Sequence, residues 1–300
     1  MPIASAVAMV RPAAFQFNEE TAANNFFPDL VQKNNPLLRE KATEEFDAMV
    51  QLLRNTGIRV LVLEDETAPE KPDAIFPNNW FSCMDNRLTV FPLCAVNRRS
   101  EKRAGLIALL KKETGISEIT DLGSYEKENM FLESTGSMVI DHRNRLIYAC
   151  ISARTNRELL QRFACDNNYE AMIFEAADAK GREIYHTNVL MCIGDAFAVV
   201  CPAAITESFR DIVLERLSGS GHELVIISFE QMNAFAGNML QLTNDKKEKL
   251  LVMSSTAFNS LLPAQIEILE KHSRFIIPNV SVIESAAGGS VRCMMAELFY

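Results

Sequence analysis

SMVIDHRNRLIYACISARTNRELLQRFACDNNYEAMIF, residues 137–174, is the stretch that decides the fold. Two apolar runs flank a polar turn at Arg143-Asn144, which predicts a β-hairpin. A helical pattern with an N-cap near Thr155 follows, and one more apolar run ends at Phe174. The predicted unit is therefore a hairpin, a helix and a further strand.

The same unit recurs along the chain. The other hairpin turns are expected at Asp85-Asn86, Gly194-Asp195 and Asn244-Asp245. The first copy is expected to run from about Ile75 to Thr120, with a helix through Gly105, Leu106 and Leu109. The helix of the third copy is expected from about Thr206, and the last strand of the fourth copy from Arg274 to Ile277. Successive turns are about fifty to sixty residues apart, a period that predicts a closed radial array of similar modules rather than two unrelated domains.

The two ends of the chain are expected to form a fifth unit together. The N-terminal part supplies a strand from Ala6 to Val10, a helix from Pro36 to Asn55 ended by Gly57, and a strand from Ile58 to Leu63. One strand is missing from this set, and we expect the C-terminal tail to provide it. The ring would then be closed by both ends of the chain.

The composition argues against several classes of protein. With 48% hydrophobic and 23% charged residues, the 300-residue chain can bury a large core. The net charge of -9 is spread along the chain, so nucleic acid is not an expected partner. Seven cysteines without a CxxC pair or zinc-ligand spacing are typical of a reducing compartment, which predicts a cytoplasmic location. Because Arg11-Pro12 interrupts the N-terminal apolar run, we expect neither a signal peptide nor a membrane helix.

Three residues are candidates for chemistry. Cys293 follows the small-residue loop AAGGSVR, where a thiol can be accessible and nucleophilic, although a buried structural thiol is the alternative. The other six cysteines lie in apolar patterns and are expected to pack in the core. His186, in YHTNV at the mouth of a strand, is a candidate acid or base, whereas the other three histidines have structural explanations. Glu133 lies inside an apolar run, and a buried carboxylate needs a partner.

A polar segment, KPDAIFPNNWF, adds Asp73, Asn78 and Asn79 at the entrance of the first hairpin. A polar turn before a strand would explain these residues equally well by themselves. However, NNW, LES, YHT and the GNM around Asn238 each open a hairpin at the same place in successive modules. In a radial array such places converge at one end of the axis, which predicts a common site.

The ordered motifs DAIFPNNW, FLESTG, YHTNV, AGNML and GGSVRCM resemble the amidinotransferase superfamily, which includes arginine deiminases and dimethylarginine dimethylaminohydrolases. The opening VAMVRPAAFQFNEETAANN is similar to the branch of arginine deiminase-related, citrulline-utilisation hydrolases. The resemblance covers essentially the whole chain. It implies an α/β fold, a five-bladed α/β propeller of hairpin–helix–strand modules (the pentein fold), with residues 1–300 as a single catalytic domain.

The resemblance also implies roles for individual residues. Cys293 corresponds to the nucleophile, His186 to the general acid/base, and Glu133 to the acid that holds the terminal nitrogens of the substrate. Asp73 matches the aspartate that opens the FPNN-like motif. Arg154 in SARTN resembles the arginine that takes the substrate carboxylate, and the sequence leaves open whether Arg98 or Arg99 assists it.

Two departures from the pattern bear on the substrate. Asn79 and Asn188 stand where guanidinium-binding deiminases typically carry aspartate. A buried cation needs matching negative charge, whereas an amide suits a neutral ureido group. We therefore expect a small amino-acid substrate similar to citrulline, with arginine derivatives as the alternative.

The hypothesis is a hydrolase that attacks a C–N bond of a guanidino or ureido group through a covalent cysteine intermediate. It requires neither a metal nor an organic cofactor. The first alternative is an amidinotransferase that passes the amidino group to an amine. The second is a non-catalytic binding protein on the same scaffold, resembling translation initiation factor 6. The sequence also leaves a homo-oligomer open.

Overall fold

Short strands and helices alternate along the chain in a mixed α/β fold. The computed structural model describes residues 3–22, 25, 27–29, 32–33 and 35–299. The strands are β1 (Ala6–Arg11), β2 (Arg59–Glu64), β3 (Phe81–Met84), β4 (Arg87–Val90), β5 (Glu118–Asp121), β6 (Val139–Asp141), β7 (Leu146–Cys150), β8 (Glu170–Phe174), β9 (Met191–Ile193), β10 (Phe197–Val200), β11 (Glu223–Ile226), β12 (Leu240–Thr243), β13 (Lys249–Val252), β14 (Arg274–Ile276) and β15 (Ala296–Leu298).

The helices range from single turns to one long helix near the N-terminus. They are α1 (Glu19–Ala22), α2 (Leu38–Asn55), α3 (Ala104–Thr114), α4 (Ser134–Ser137), α5 (Arg157–Asp166), α6 (Thr187–Leu190), α7 (Glu207–Gly219), α8 (Phe229–Asn233), α9 (Ser255–Ser260), α10 (Pro263–His272) and α11 (Ser281–Ala287). Among the described residues, no helix has both the length and the apolar character needed to cross a bilayer.

Four hairpin–helix–strand units follow one another as the sequence predicts. In each, two strands form an antiparallel hairpin and a third strand, reached through a helix, pairs in parallel with the second. The units are β3-β4-β5, β6-β7-β8, β9-β10-β11 and β12-β13-β14. The first hairpin turns at Asp85 and Asn86, whose φ angles of 51° and 60° suit the tight turns that match strand twist.

The two ends of the chain pair with each other, which confirms the predicted fifth unit. β1 is parallel to β2 and antiparallel to β15, with Ala6 opposite Leu298. Leu298 also bridges Cys83 of β3, so the unit formed by the chain ends joins the first hairpin unit in a six-stranded sheet. Gly57, with φ of +84°, follows the end of α2 and turns the chain into β2.

The helices pack on the sheets through one apolar face each. In α2, the buried side chains recur at the spacing of a single helical face. These are Leu38, Ala42, Phe46, Met49, Val50 and Leu53. They share a core cluster with Val7 and Met9 of β1 and Val60 of β2. Burial of this face therefore fixes the helix against the unit formed by the two chain ends.

Two local predictions need correction. The N-cap of α5 is Asn156 rather than Thr155, because the Asn156 side chain accepts a hydrogen bond from the backbone N–H of Leu159 at 3.0 Å. Cys165 is exposed and Cys94 is partly exposed, whereas both were expected in the core. On α5, the residues that face the core are Leu159, Leu160, Phe163 and Ala164, so Cys165 lies on the solvent face.

Candidate active site

The short helix α4 lies at the centre of the predicted site. Glu133 directly precedes it, and the helix packs against both the 3₁₀ turn Pro77–Asn79 and α6. A Cβ atom on Gly136 would lie 2.5 Å from Nδ2 of Asn79 and 2.8 Å from Cε1 and Nδ1 of His186. The absence of a side chain at Gly136 therefore lets polar groups from three hairpin units meet.

Glu133 and His186 form a buried pair. Nε2 of His186 lies 2.7 Å from Oε2 of Glu133, and Oε1 accepts a hydrogen bond from the backbone N–H of Cys94 at 3.0 Å. Burial by itself raises the pKa of Glu133. The charge of Arg154, whose Nη1 lies 3.5 Å from Oε2, and the hydrogen bond from His186 outweigh burial and hold that pKa below its usual range. Burial lowers the pKa of His186 to about 4, against the opposing effect of Glu133. At neutral pH the carboxylate is therefore ionised and the imidazole neutral.

The ionisation of Glu133 also fixes the tautomer of His186. An ionised carboxylate only accepts hydrogen bonds, so Nε2 of His186 carries the proton and donates it. Nδ1 then holds the lone pair, on the same ring edge that approaches Gly136 and Asn79. The ring can accept a proton at that atom while Glu133 stabilises the resulting charge.

Two amides hold the thiol of Cys293. Nδ2 of Asn238 donates to Sγ at 3.2 Å and Nδ2 of Asn188 donates at 3.6 Å. The residue is only 8% exposed, and burial raises the pKa of its thiol, while the hydrogen bond from Asn238 acts in the opposite direction. Both amides stabilise a negative charge on sulfur relative to the neutral thiol.

The amides connect Cys293 to helix α4. Nδ2 of Asn188 also donates to the backbone carbonyl of Thr135 at 3.1 Å, next to Gly136. Oδ1 of Asn188 is buried without a hydrogen-bond partner. Asn238 is fixed at both ends, because Nδ2 donates to the backbone carbonyl of Asn188 at 3.0 Å and Oδ1 accepts from the backbone N–H of Arg292 at 3.1 Å. Sulfur, imidazole and carboxylate therefore belong to one network.

The first motif contributes three buried polar side chains. Oδ2 of Asp73 accepts from Nδ2 of Asn18 at 2.8 Å and from Oγ1 of Thr21 at 3.1 Å, while Oδ1 is buried without a partner. Asn78 is hydrogen-bonded to Oγ1 of Thr135 at 3.5 Å. Nδ2 of Asn79 donates to Oδ1 of Asn78 at 3.2 Å. An unsatisfied carboxylate oxygen in this position is suited to accept a hydrogen bond from a ligand.

The candidate arginines differ in their contacts. Arg154 lies over the ring of Tyr185, with 4.6 Å between its Cζ atom and the ring centroid, and donates to the backbone carbonyl of Thr21 at 3.2 Å. Arg98 is 2% exposed and bound within the protein, chiefly to Glu101. Arg99 donates to backbone carbonyls in the loop that includes Cys94. The carboxylate role of Arg154, assisted by Arg98 or Arg99, stays a prediction.

The structure thus brings all the sequence-predicted site residues into one network, and it adds others. Asn238 stands in AGNML at the entrance of the fourth hairpin, where the sequence alone indicates no role for it, and it makes the shorter of the two contacts to Cys293. Gly136 and the two residues that hold Asp73, Asn18 and Thr21, carry no sequence signal of their own. Within the described ranges, no group of three or more His, Cys, Asp or Glu side chains could hold a metal ion.

A family model described as N,N dimethylarginine dimethylhydrolase, eukaryotic, matches residues 11–300. A sequence comparison with curated proteins gives no match. Similar solved structures include ArgZ, an arginine dihydrolase from the ornithine–ammonia cycle in cyanobacteria, with a TM-score of 0.77 and 15% identity over 98% of this chain and 40% of that chain. The N-terminal domain of ArgZ, covalently bound to a reaction intermediate, has a TM-score of 0.75 and 15% identity over 98% of this chain and 97% of that domain.

A third similar structure is DDAH from Pseudomonas aeruginosa in complex with citrulline. It has a TM-score of 0.70 and 13% identity over 99% of this chain and 100% of that chain. This chain spans 40% of the ArgZ chain but 97% of the N-terminal domain of ArgZ. At these identities the likeness establishes a shared α/β fold.

Proposed function

Because the chain belongs to the N,N dimethylarginine dimethylhydrolase family, we propose that it hydrolyses a C–N bond of a guanidino or ureido group through a covalent intermediate on Cys293. The observation that carries this proposal is the shared network of sulfur, imidazole and carboxylate. Asn188 links Cys293 to helix α4, and the same helix approaches the Glu133–His186 pair through Gly136.

The first chemical step is attack by sulfur on the central carbon. Nδ1 of His186 removes the proton from the Cys293 thiol, and the S–C bond forms as the bond to the departing nitrogen breaks. The same imidazole returns the proton to that nitrogen, so the amine leaves neutral. For a ureido substrate, a thiocarbamoyl enzyme and a free amine result; for a guanidino substrate, the enzyme carries a thiouronium.

Hydrolysis of the intermediate then restores the enzyme. His186 takes a proton from water, and the hydroxide adds to the carbon. The S–C bond then breaks as the imidazolium returns the proton to sulfur, which releases carbamic acid from a thiocarbamoyl enzyme or a urea from a thiouronium. Two features of the site favour both steps. The ionised Glu133 stabilises the imidazolium that forms transiently, and the amides of Asn188 and Asn238 stabilise the thiolate as attacking and leaving group.

We propose a small amino acid similar to citrulline as the substrate. Asn79 and Asn188 are amides, so the site has less negative charge for a full guanidinium than two aspartates would supply. Glu133 holds the terminal nitrogens, Asp73 offers an unpartnered oxygen, and Arg154 takes the carboxylate. Of the two candidate helpers, Arg99 assists it, because Arg98 is bound to Glu101 and Asn79. Arginine derivatives are the competing class.

The same proposal includes the architecture around the site. The five three-stranded units close into a five-bladed α/β propeller, and residues 1–300 act as a single catalytic domain. Support comes from the antiparallel pairing of β1 with β15, which unites the two ends of the chain in one unit. The site lies at the end of the axis where Asn79, Glu133 and His186 each precede a hairpin.

The test is release of ornithine and ammonia from citrulline, arginine and dimethylarginine by the native protein and by Cys293→Ala. Ornithine from citrulline, lost in the variant, supports ureido hydrolysis. Citrulline from arginine or dimethylarginine assigns the guanidino class instead. A covalent product on Cys293 that persists until an amine is added assigns group transfer, and activity unchanged in Cys293→Ala contradicts the proposal.

A further inference from the structure

The amide of Asn79 has only one orientation compatible with its neighbour. Nη1 of Arg98 lies 2.7 Å from Oδ1 of Asn79. A guanidinium carries hydrogen-bond donors and no acceptor, so the carbonyl oxygen of the amide must face it. The amide nitrogen is thereby turned away from Arg98.

Arg98 is itself held rigidly. Its Nε and Nη2 atoms donate to the two carboxylate oxygens of Glu101 at 2.8 Å and 2.9 Å, a bidentate pair. Nη2 also donates to the backbone carbonyl of Phe76 at 3.2 Å, directly before the turn that contains Asn79. Arg98 and Glu101 are each 2% exposed. Because the guanidinium cannot swing away, it fixes the amide.

The amide nitrogen points to the reacting groups. One hydrogen of Nδ2 is directed to Oδ1 of Asn78, at 3.2 Å. The nitrogen lies 2.5 Å from the position that a Cβ on Gly136 would take, and that position is 2.8 Å from the His186 ring. The second hydrogen of Nδ2 is therefore not taken by Asn78 and lies near the His186 ring, while the amide oxygen is turned away from it towards Arg98.

We propose that Arg98 is a positioning residue that makes Asn79 a hydrogen-bond donor at the reacting carbon, so that the site selects a substrate group with an acceptor atom. A ureido oxygen is such an acceptor, whereas every nitrogen of a guanidinium is a donor. Two opposed donors leave one hydrogen bond unmade in a buried site, which costs about tenfold to a hundredfold in affinity. This inference rests on the proposed function, since it identifies the substrate class of that site.

The experiment measures binding, so that it does not depend on turnover. Dissociation constants of L-citrulline and L-arginine are determined by calorimetry in a Cys293→Ser background, which cannot form the intermediate. Two further variants are added to this background. Asn79→Asp keeps one oxygen for Arg98 and presents a second acceptor, and Arg98→Met with Glu101→Gln removes the buried pair without leaving a lone charge.

The background protein is expected to bind citrulline at least tenfold more tightly than arginine. Asn79→Asp should reverse this ratio, and the double substitution should bring it close to one because the amide can then turn. Arg157→Met is the matched control, since it removes an exposed cation at the start of α5 that has no part in the proposed site. The ratio should stay unchanged in that control.

Each remaining outcome overturns the inference. If the ratio of the two dissociation constants is unchanged in Asn79→Asp, the inference is wrong. This single variant is sufficient even if the double variant fails to fold. Tighter binding of arginine than of citrulline by the Cys293→Ser protein also contradicts the inference. The proposed hydrolysis still holds in that case if the native enzyme produces ornithine or citrulline. If neither ligand binds, the inference fails as well, and covalent labelling of Cys293 by dimethylarginine tests the proposed hydrolysis separately.

Discussion

Oε2 of Glu133 lies 2.7 Å from Nε2 of His186, and both side chains are almost completely buried. The pKa of each group is below its ordinary value, for different reasons. Arg154 and His186 favour the ionised form of Glu133 over the effect of burial, whereas burial favours the neutral form of His186. The pair is thus an anion beside a neutral base, which is the arrangement that proton transfer from a thiol requires.

Acid is expected to destabilise the protein through His186. The ordinary pKa of histidine is 6.5, and burial lowers that of His186 to about 4. Between these values the unfolded chain binds a proton that the folded protein does not, so the free energy of unfolding falls as the pH falls from 6.5 towards 4. Urea titrations at several pH values measure this dependence. A His186→Asn variant with an equally steep dependence in this window would contradict the assignment.

Glu133→Gln should lower kcat/KM about a hundredfold or more, because the amide cannot stabilise the imidazolium that forms at His186. Thermal unfolding should show a folded protein with reduced stability, since the hydrogen bond to the backbone N–H of Cys94 can be retained. Glu128→Gln, a change at an exposed glutamate, is the control and should leave kcat/KM unaltered. Equal activity in the two variants would exclude a catalytic role for Glu133.

Gly136→Ala should abolish most activity. The new Cβ would lie 2.5 Å from Nδ2 of Asn79 and 2.8 Å from the His186 ring, so both side chains must move. A displacement of this size can cost about a hundredfold in rate. Gly105→Ala is the matched control, because nothing lies within 4 Å of its Cβ, and alanine in α3 should stabilise the protein by about 0.5–1 kcal/mol. Steady-state kinetics and thermal unfolding of both variants decide the prediction.

Asn238→Asp should make Cys293 harder to ionise. The aspartate can still accept the backbone N–H of Arg292, but it places a negative charge where an amide donates to sulfur. The pKa of the thiol should rise by about one unit or more, which lowers the rate of iodoacetamide labelling at pH 8 about tenfold. Mass spectrometry of the Cys293 peptide separates this thiol from the other six. A labelling rate equal to that of the native protein would contradict the proposed stabilisation of the thiolate.

Much of the fold could be predicted because it depends on local patterns. Polar turns between apolar runs locate the hairpins, and the strand missing from the N-terminal unit indicates that the C-terminal tail must pair there. The register of that pairing, with Ala6 opposite Leu298, depends on contacts between distant residues and is absent from any local pattern. The N-cap at Asn156 lies one residue from the predicted position. Cys165 directly follows the buried Ala164, and because each residue turns a helix by about 100°, its side chain faces solvent.

The residue types of the site could be predicted from the sequence, but the orientations of its side chains could not. Cys293, His186 and Glu133 were identified from their motifs, and their contacts form one network in the structure. The orientation of the Asn79 amide could not be predicted, because Arg98 contacts it from a different turn of the chain. The role of Asn238 is absent from its own motif, because its partner Cys293 lies 55 residues further along the chain.

Covalent catalysis by Cys293 is the central claim, and the mass of the protein during turnover tests it most directly. The enzyme is mixed with excess citrulline or, separately, arginine, quenched in acid within one turnover, and digested for peptide mapping. With citrulline, the account predicts a carbamoyl adduct on the Cys293 peptide that forms as ornithine is released and decays by hydrolysis. With arginine, it predicts an alkylthiouronium adduct that decays as citrulline accumulates. Neither adduct nor product is expected in Cys293→Ala. Product formation without any adduct, and undiminished in Cys293→Ala, would contradict it.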